Sequence, residues 1–228
     1  MSLRKATWIN LRSDWSTDPE EVANSITHGL GFLLSLVGAA ALMMRVFRDG
    51  DGWRIVGCMI YASSLVSVYA MSTLSHCCTE PNLKRRFGIL DQAFIYLLIT
   101  GTYTPFALAF LRVSPWLQFL ALMWTIAIIG FISKVILPHS MVRVWVWTYV
   151  VLGWMPIFSA PYLVGIVPDA ALWWMLIGGL CYTFGTLFLV LDHRVRHFHA
   201  LWHVMVIAGS TCHFASIYLY VAPLKQSL

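Results

Sequence analysis

The chain has 228 residues, of which 59% are hydrophobic and only 11% charged, and its mean hydropathy is +0.74. Soluble domains run near 25% charged, so this balance excludes a soluble globular protein of ordinary composition and points to an integral membrane protein. The formal charge of +5 then reflects basic loops that anchor and orient spans, with no nucleic acid as partner.

Residues 1 to 15 are mixed polar and basic, without the apolar core and small-residue cleavage site of a secretory signal. Asp18, Pro19, Glu20 and Glu21 read as a helix start, with Asp18 as cap and Pro19 in the first turn. Residues 1–24 are therefore expected to form an amino-terminal segment with an interfacial helix, leading into a transmembrane domain over 25–228. Seven apolar stretches follow, at 25–47, 53–76, 88–111, 115–136, 144–166, 170–191 and 198–222, each near the ~20 residues that cross the hydrocarbon core. The expected fold is thus all-α, a seven-helix transmembrane bundle whose short loops make successive helices antiparallel neighbours.

Trp53, Trp116, Trp145, Trp147, Trp173 and Trp174 fall where spans would meet the headgroups. Pro105 in span three and Pro156 and Pro161 in span five each remove a backbone hydrogen bond, which predicts kinks. The five cysteines, Cys58, Cys77, Cys78, Cys181 and Cys212, are odd in number and lack a Cys-x-x-Cys spacing. They are expected as small buried residues rather than as a disulfide framework or thiolate metal site.

Lysine and arginine set the orientation. Arg4, Lys5, Arg12, Lys84, Arg85, Arg86, Lys134, Arg143, Arg194 and Arg196 fall on the amino-terminal side, against Arg45, Arg48, Arg54, Arg112 and Lys225 on the other. This excess predicts a cytoplasmic amino terminus and an outside carboxyl terminus.

Chemistry concentrates at one end. His199 and His203, four apart at the start of span seven, lie on one helix face about 6 Å apart and can share a metal ion; alone, they read equally well as interfacial and solvated. Because odd spans run outward and even spans return, the end of span two and the starts of spans three and seven share that side. They carry His76, Asp91, and His199 with His203. Three neutral imidazoles with one open position form the ligand set of a catalytic zinc site, although copper, nickel and iron also accept histidine.

Asp91 alone among the ten acidic residues lies well inside a span, where an unpaired carboxylate is costly. It could orient a water, accept its proton, bind the metal as a fourth ligand, or merely cap helix three or pair with Lys84 to Arg86. Ser72 sits one turn from His76 on the same face, where its hydroxyl could hydrogen-bond a ligand or substrate, or bond back to its own helix. His28 is a possible substitute ligand. His139, His193 and His197 are expected solvated and His213 is too deep for the same ion; Asp192 could stand behind a metal ligand but is expected to pair with Arg194.

The chain resembles the progestin and adipoQ receptor family, specifically its bacterial hemolysin III branch, over nearly its whole length. The resemblance is carried by Ser72 and His76, by Leu90-Asp91 with Leu97 to Pro105, and by His199, His203, Ala208 to Ser210 and Cys212-His213-Phe214, joined by Asn24 to Gly31. It implies a seven-helix bundle in the bacterial cytoplasmic (inner) membrane, with zinc near the cytoplasmic leaflet. By carry-over, His76, His199 and His203 match the zinc ligands, and Asp91 and Ser72 the polar positions beside them. Family members are proposed to be lipid hydrolases akin to ceramidases, the eukaryotic ones act as receptors, and the bacterial branch is linked to membrane lipid homeostasis.

Three functions follow as expectations. The first is a zinc-dependent hydrolase of a lipid amide or ester, with Asp91 and Ser72 as catalytic groups and a membrane lipid as partner. The second is a non-catalytic sensor or receptor with a structural zinc. The third is a haemolytic pore, which the single polar cluster disfavours because pores need continuous polar linings.

Overall fold

The computed structural model describes residues 19–137 and 146–223. The proposed cap Asp18, His139 and several of the charges used for orientation, among them Arg4, Arg143 and Lys225, lie outside the described residues. Among the described residues, seven helical stretches are long and apolar enough to cross a membrane: α1 (Pro19–Asp49), α2 (Gly52–Cys77), α3 (Pro81–Phe110), α4 (Trp116–Ile136), the broken stretch Val146–Leu163, α7 (Asp169–Leu191) and the last stretch, Phe198–Val221. The protein is an all-α, multi-pass membrane bundle.

Two helices extend beyond the apolar runs that announced them. α1 has 31 residues and rises about 46 Å at 1.5 Å per residue, well past ~30 Å of hydrocarbon. α3 begins at Pro81, seven residues before the expected 88, because Glu80 caps it: its carboxylate accepts from the backbone N–H of Asn82 and Leu83. Those bonds hold the Glu80 carboxyl below its usual range. The polar turn Asn82 to Arg86 is helical because capping and proline start a helix whether or not it faces lipid. Asp91 accordingly sits almost three turns inside α3 and does not cap it.

Span five departs furthest from expectation. α5 (Val146–Trp154) gives way to a 3-10 stretch at Met155–Ser159 and a single helical turn, α6 (Ala160–Leu163). Pro156 and Pro161 lack the N–H that would close the α-helical ladder, so two nearby prolines break the helix instead of bending it. Pro105 leaves α3 unbroken. The last span starts as α8 (Phe198–Ser216) and ends in a π-helical turn at Ile217–Val221, where Ile217 N–H is shared between the carbonyls of His213 and Phe214.

α3 is the most enclosed helix, packed between α2 and α4. Small residues permit this: a Cβ on Gly57 of α2 would stand 2.9 Å from the Cα of Pro105. Cys58 and Cys212 are buried, as expected, but Cys77 is exposed and Cys78 partly so, because α2 ends beside them.

Candidate functional site

Three helix ends meet where α1, α2 and α8 converge. His76 is the penultimate residue of α2, while His199 and His203 occupy the first turns of α8. Their ring centroids are 5.3 Å (His76 to His199), 5.0 Å (His76 to His203) and 4.5 Å (His199 to His203) apart. One ligand nitrogen from each lies within 4.8 Å of the others, which a single cation can gather. No Asp, Glu or Cys completes this group among the described residues.

What lies behind the rings matters as much as the rings. His76 Nδ1 is 2.9 Å from Glu21 Oε2, and His199 Nδ1 is 3.0 Å from Asp192 Oδ2. His203 Nδ1 is 3.1 Å from Thr27 Oγ1, whose own proton goes to the Ala23 or Asn24 carbonyl, so the hydroxyl can only accept from the ring. All three Nδ1 atoms therefore donate, which leaves the three Nε2 lone pairs available. This is the tautomer and orientation that metal-binding histidines receive from partners behind them.

Each partner depends on a local feature. Glu21 lies in the first turn of α1 and is shared with Lys84, whose Nζ donates to Oε1 at 3.0 Å. Lys84 thus pairs with Glu21 and not with Asp91. Asp192 stands just past α7 and reaches His199 because the chain reverses through His197, a non-glycine residue at φ 64 whose N–H donates to Glu20. The expected pairing of Asp192 with Arg194 is replaced by this contact: Arg194 instead donates to His193 at 3.3 Å. His193 and His197 are exposed.

Asp91 lies across from the histidines and lines the same cavity, and Ser72 donates to its Oδ2 at 3.2 Å. Ser72 is fully buried and makes this bond across to α3. His28 is not part of the ligand group. Its ring lies against His203 at 3.5 Å, and both of its nitrogens, together with Asn24 Oδ1, are buried without a partner among the described residues. His213 belongs to another level, with Nε2 donating to the Met175 carbonyl at 3.1 Å.

From the histidines a cavity of about 1020 Å³ runs through the bundle behind α5 and α7, past Asp91, Tyr149, Trp154 and Leu176 to His213. Most of its wall is apolar. That volume is at the upper end for small-molecule pockets.

Residues 17–214 match the family described as Haemolysin-III related. The chain belongs to that family. This haemolysin-III-related chain is 35% identical to Hemolysin-3 of Bacillus cereus over 90% of its length and 93% of the relative's. It is 33% identical to the Hemolysin-3 homolog of Bacillus subtilis, over 90% and 95% of the two chains. A human relative, Monocyte to macrophage differentiation factor, is 26% identical over 90% of this chain and 86% of its own.

Sequence reasoning missed Glu21 and Thr27. A signal for the first existed: Glu21, Asn24 and His28 recur at i, i+3 and i+7 on the first span, one polar stripe on an otherwise apolar helix. Nothing local marks Thr27, whose role appears only when α8 packs beside α1.

Proposed function

We propose that this haemolysin-III-related protein is a zinc-dependent hydrolase that cleaves an amide or ester bond of a membrane lipid. The observation that carries the reading is that His76, His199 and His203 each have Nδ1 held from behind, beside a largely apolar cavity that Asp91 lines. Three histidines with a position left open are the donor set of catalytic rather than structural zinc sites. Zinc held there would polarise a lipid carbonyl and make a water acidic enough to deprotonate near neutrality.

The chain's own groups supply the rest. Asp91, with Oδ2 anchored by Ser72, would hold the attacking water at Oδ1 and take its proton, then return it to the leaving amine or alcohol. The cavity would take the acyl chain and exclude bulk water. The excess of Lys and Arg at the histidine end favours placing that end at the cytoplasmic face of the inner membrane.

The competing reading is a sensor or receptor in which a metal merely ties α2 and α8 together. A closed, four-ligand site would favour it, whereas Asp91 stands outside the histidine group. Protein purified in detergent and incubated with a panel of ceramides and glycerolipids should release fatty acid, stop on chelation and resume on adding zinc. Full turnover after complete metal removal would end the proposal.

The partners behind the rings should tune affinity for the metal. Glu21→Ala removes the acceptor from His76 Nδ1, so zinc affinity should fall about 10- to 100-fold, as for loss of other such partners. Competition against a chromogenic chelator measures this, and an unchanged affinity would mean that Glu21 serves Lys84 alone.

A further inference from the structure

Lys134 stands near the histidine-side end of α4, where a basic side chain would ordinarily reach the headgroups, yet it is only 5% exposed. Its ammonium has three N–H donors. One goes to Gln92 Oε1 at 2.6 Å, and no carboxylate among the described residues lies within ion-pair distance. Lys84 at the same end is paired with Glu21, and the buried Arg54 at the other end with Asp51. Lys134 also lines the cavity that holds Asp91 and His76. An ammonium in apolar surroundings without a counter-anion is costly, and in a membrane span such a group marks a site.

Gln92 makes the arrangement directional. Because Lys134 can only donate, the Gln92 carboxamide must turn its oxygen to the ammonium, which leaves its NH₂ free to donate. The backbone there is fixed: Tyr149 donates to the Gln92 carbonyl at 2.9 Å, and the Tyr149 ring packs on Tyr96 at 4.6 Å. Gln92, one residue beyond Asp91, and Lys134 both line the cavity and between them carry a neutral and a charged donor.

We propose that Lys134 and Gln92 form an oxyanion-binding post for an amphiphile in the cavity, taking either the carboxylate of a long-chain fatty acid or the phosphate of a lipid. This rests on the cavity being the lipid site of the proposed function, but not on turnover. The charged group lies against the Lys134 ammonium and the Gln92 NH₂, and the chain runs along the apolar wall towards His213. In the hydrolase, the carboxylate formed opposite the histidines would move to this post before leaving.

The test compares binding of matched charged and neutral lipids to the full-length, detergent-purified protein by native mass spectrometry: palmitate against methyl palmitate, and dipalmitoyl phosphatidic acid against dipalmitoylglycerol. The wild type should prefer the charged member of at least one pair by about tenfold or more, the scale of one charge-assisted hydrogen bond. Lys134→Met should bring that ratio close to one while leaving neutral-lipid binding unchanged, and Lys134→Arg should keep most of it. The pair with the larger Lys134-dependent ratio identifies the source as fatty acid or headgroup, and either result supports the post. Should Lys134→Met fail to fold, Gln92→Leu, which removes the second donor, should lower the same ratio. Wild-type discrimination retained in Lys134→Met, or in Gln92→Leu where that variant stands in, would overturn the proposal. A Lys134-dependent preference in a protein without turnover would leave the post standing and remove only the hydrolase.

Discussion

Replacing His203 by alanine is expected to leave the purified protein without bound zinc and without lipid hydrolysis. His203 is 1% exposed, lies 4.5 to 5.0 Å from the rings of His199 and His76, and is held by Thr27. Removing it leaves two imidazoles on different helices, and two ligands do not hold a cation that four-coordinate chemistry requires. The loss of affinity should exceed the roughly 10- to 100-fold expected for an outer partner such as Glu21. The bundle itself should survive, because α8 also packs through its deeper half, where Gly209 contacts Tyr182 and Ser210 bonds Tyr69 and Tyr182. His213→Ala is the matched control: it deletes a buried histidine of the same helix that hydrogen-bonds the Met175 carbonyl and packs on Tyr182, outside the three-histidine group, so its zinc should remain. Elemental analysis of the three proteins side by side decides the matter. Stoichiometric zinc in His203→Ala would dissolve the proposed centre.

The gathering of His76, His199 and His203 at one end was legible because it depends only on the parity of spans joined by short loops. Counting seven apolar runs gives that parity even when helix ends are misjudged by several residues, as at Pro81. The helix ends were less legible for a physical reason: hydropathy reports which residues face lipid, whereas helices begin where caps and prolines let them. Glu80 with Pro81 carries α3 seven residues into polar sequence. Pro156 and Pro161 suggested a bent fifth span, but that two prolines five apart would convert a turn to 3-10 geometry depends on packing as well as composition.

The groups behind the histidines were hidden for a different reason. Glu21 and His76 are 55 residues apart and Thr27 and His203 are 176 apart, so each contact exists only because α1 lies against the ends of α2 and α8. Asp192 was visible as a candidate group behind a metal ligand, but pairing with its neighbour Arg194 was preferred, since proximity in sequence favours that pair in solvent. The positive φ at His197 folds the chain back and puts His199 within 3.0 Å instead. Lys134 entered the sequence analysis only as a charge that sets orientation, because a basic residue near a span end ordinarily reaches the headgroups. Here the side chain turns into the bundle and meets Gln92.

Asp91→Asn should separate chemistry from metal binding. Asparagine keeps the shape of the side chain and an oxygen to accept from Ser72, which donates at 3.2 Å, but it cannot take a proton from water. If Asp91 is the general base, turnover should fall by about 10²- to 10⁴-fold, the range general-base catalysis contributes. Zinc content should stay at the wild-type level, because Asp91 stands outside the three-histidine group. Ser72→Ala should cost less, since it removes one neutral donor and leaves the carboxylate in place, although Ser72 is fully buried and the freed oxygen must find another partner. The informative result is the pair of measurements on one preparation. Lost turnover with retained zinc makes Asp91 the base. Zinc lost from Asp91→Asn would make the carboxylate a fourth ligand and close the open position, favouring a structural metal and the sensor reading. Unchanged turnover would leave this carboxylate without a catalytic role and require another group in the cavity to move the proton.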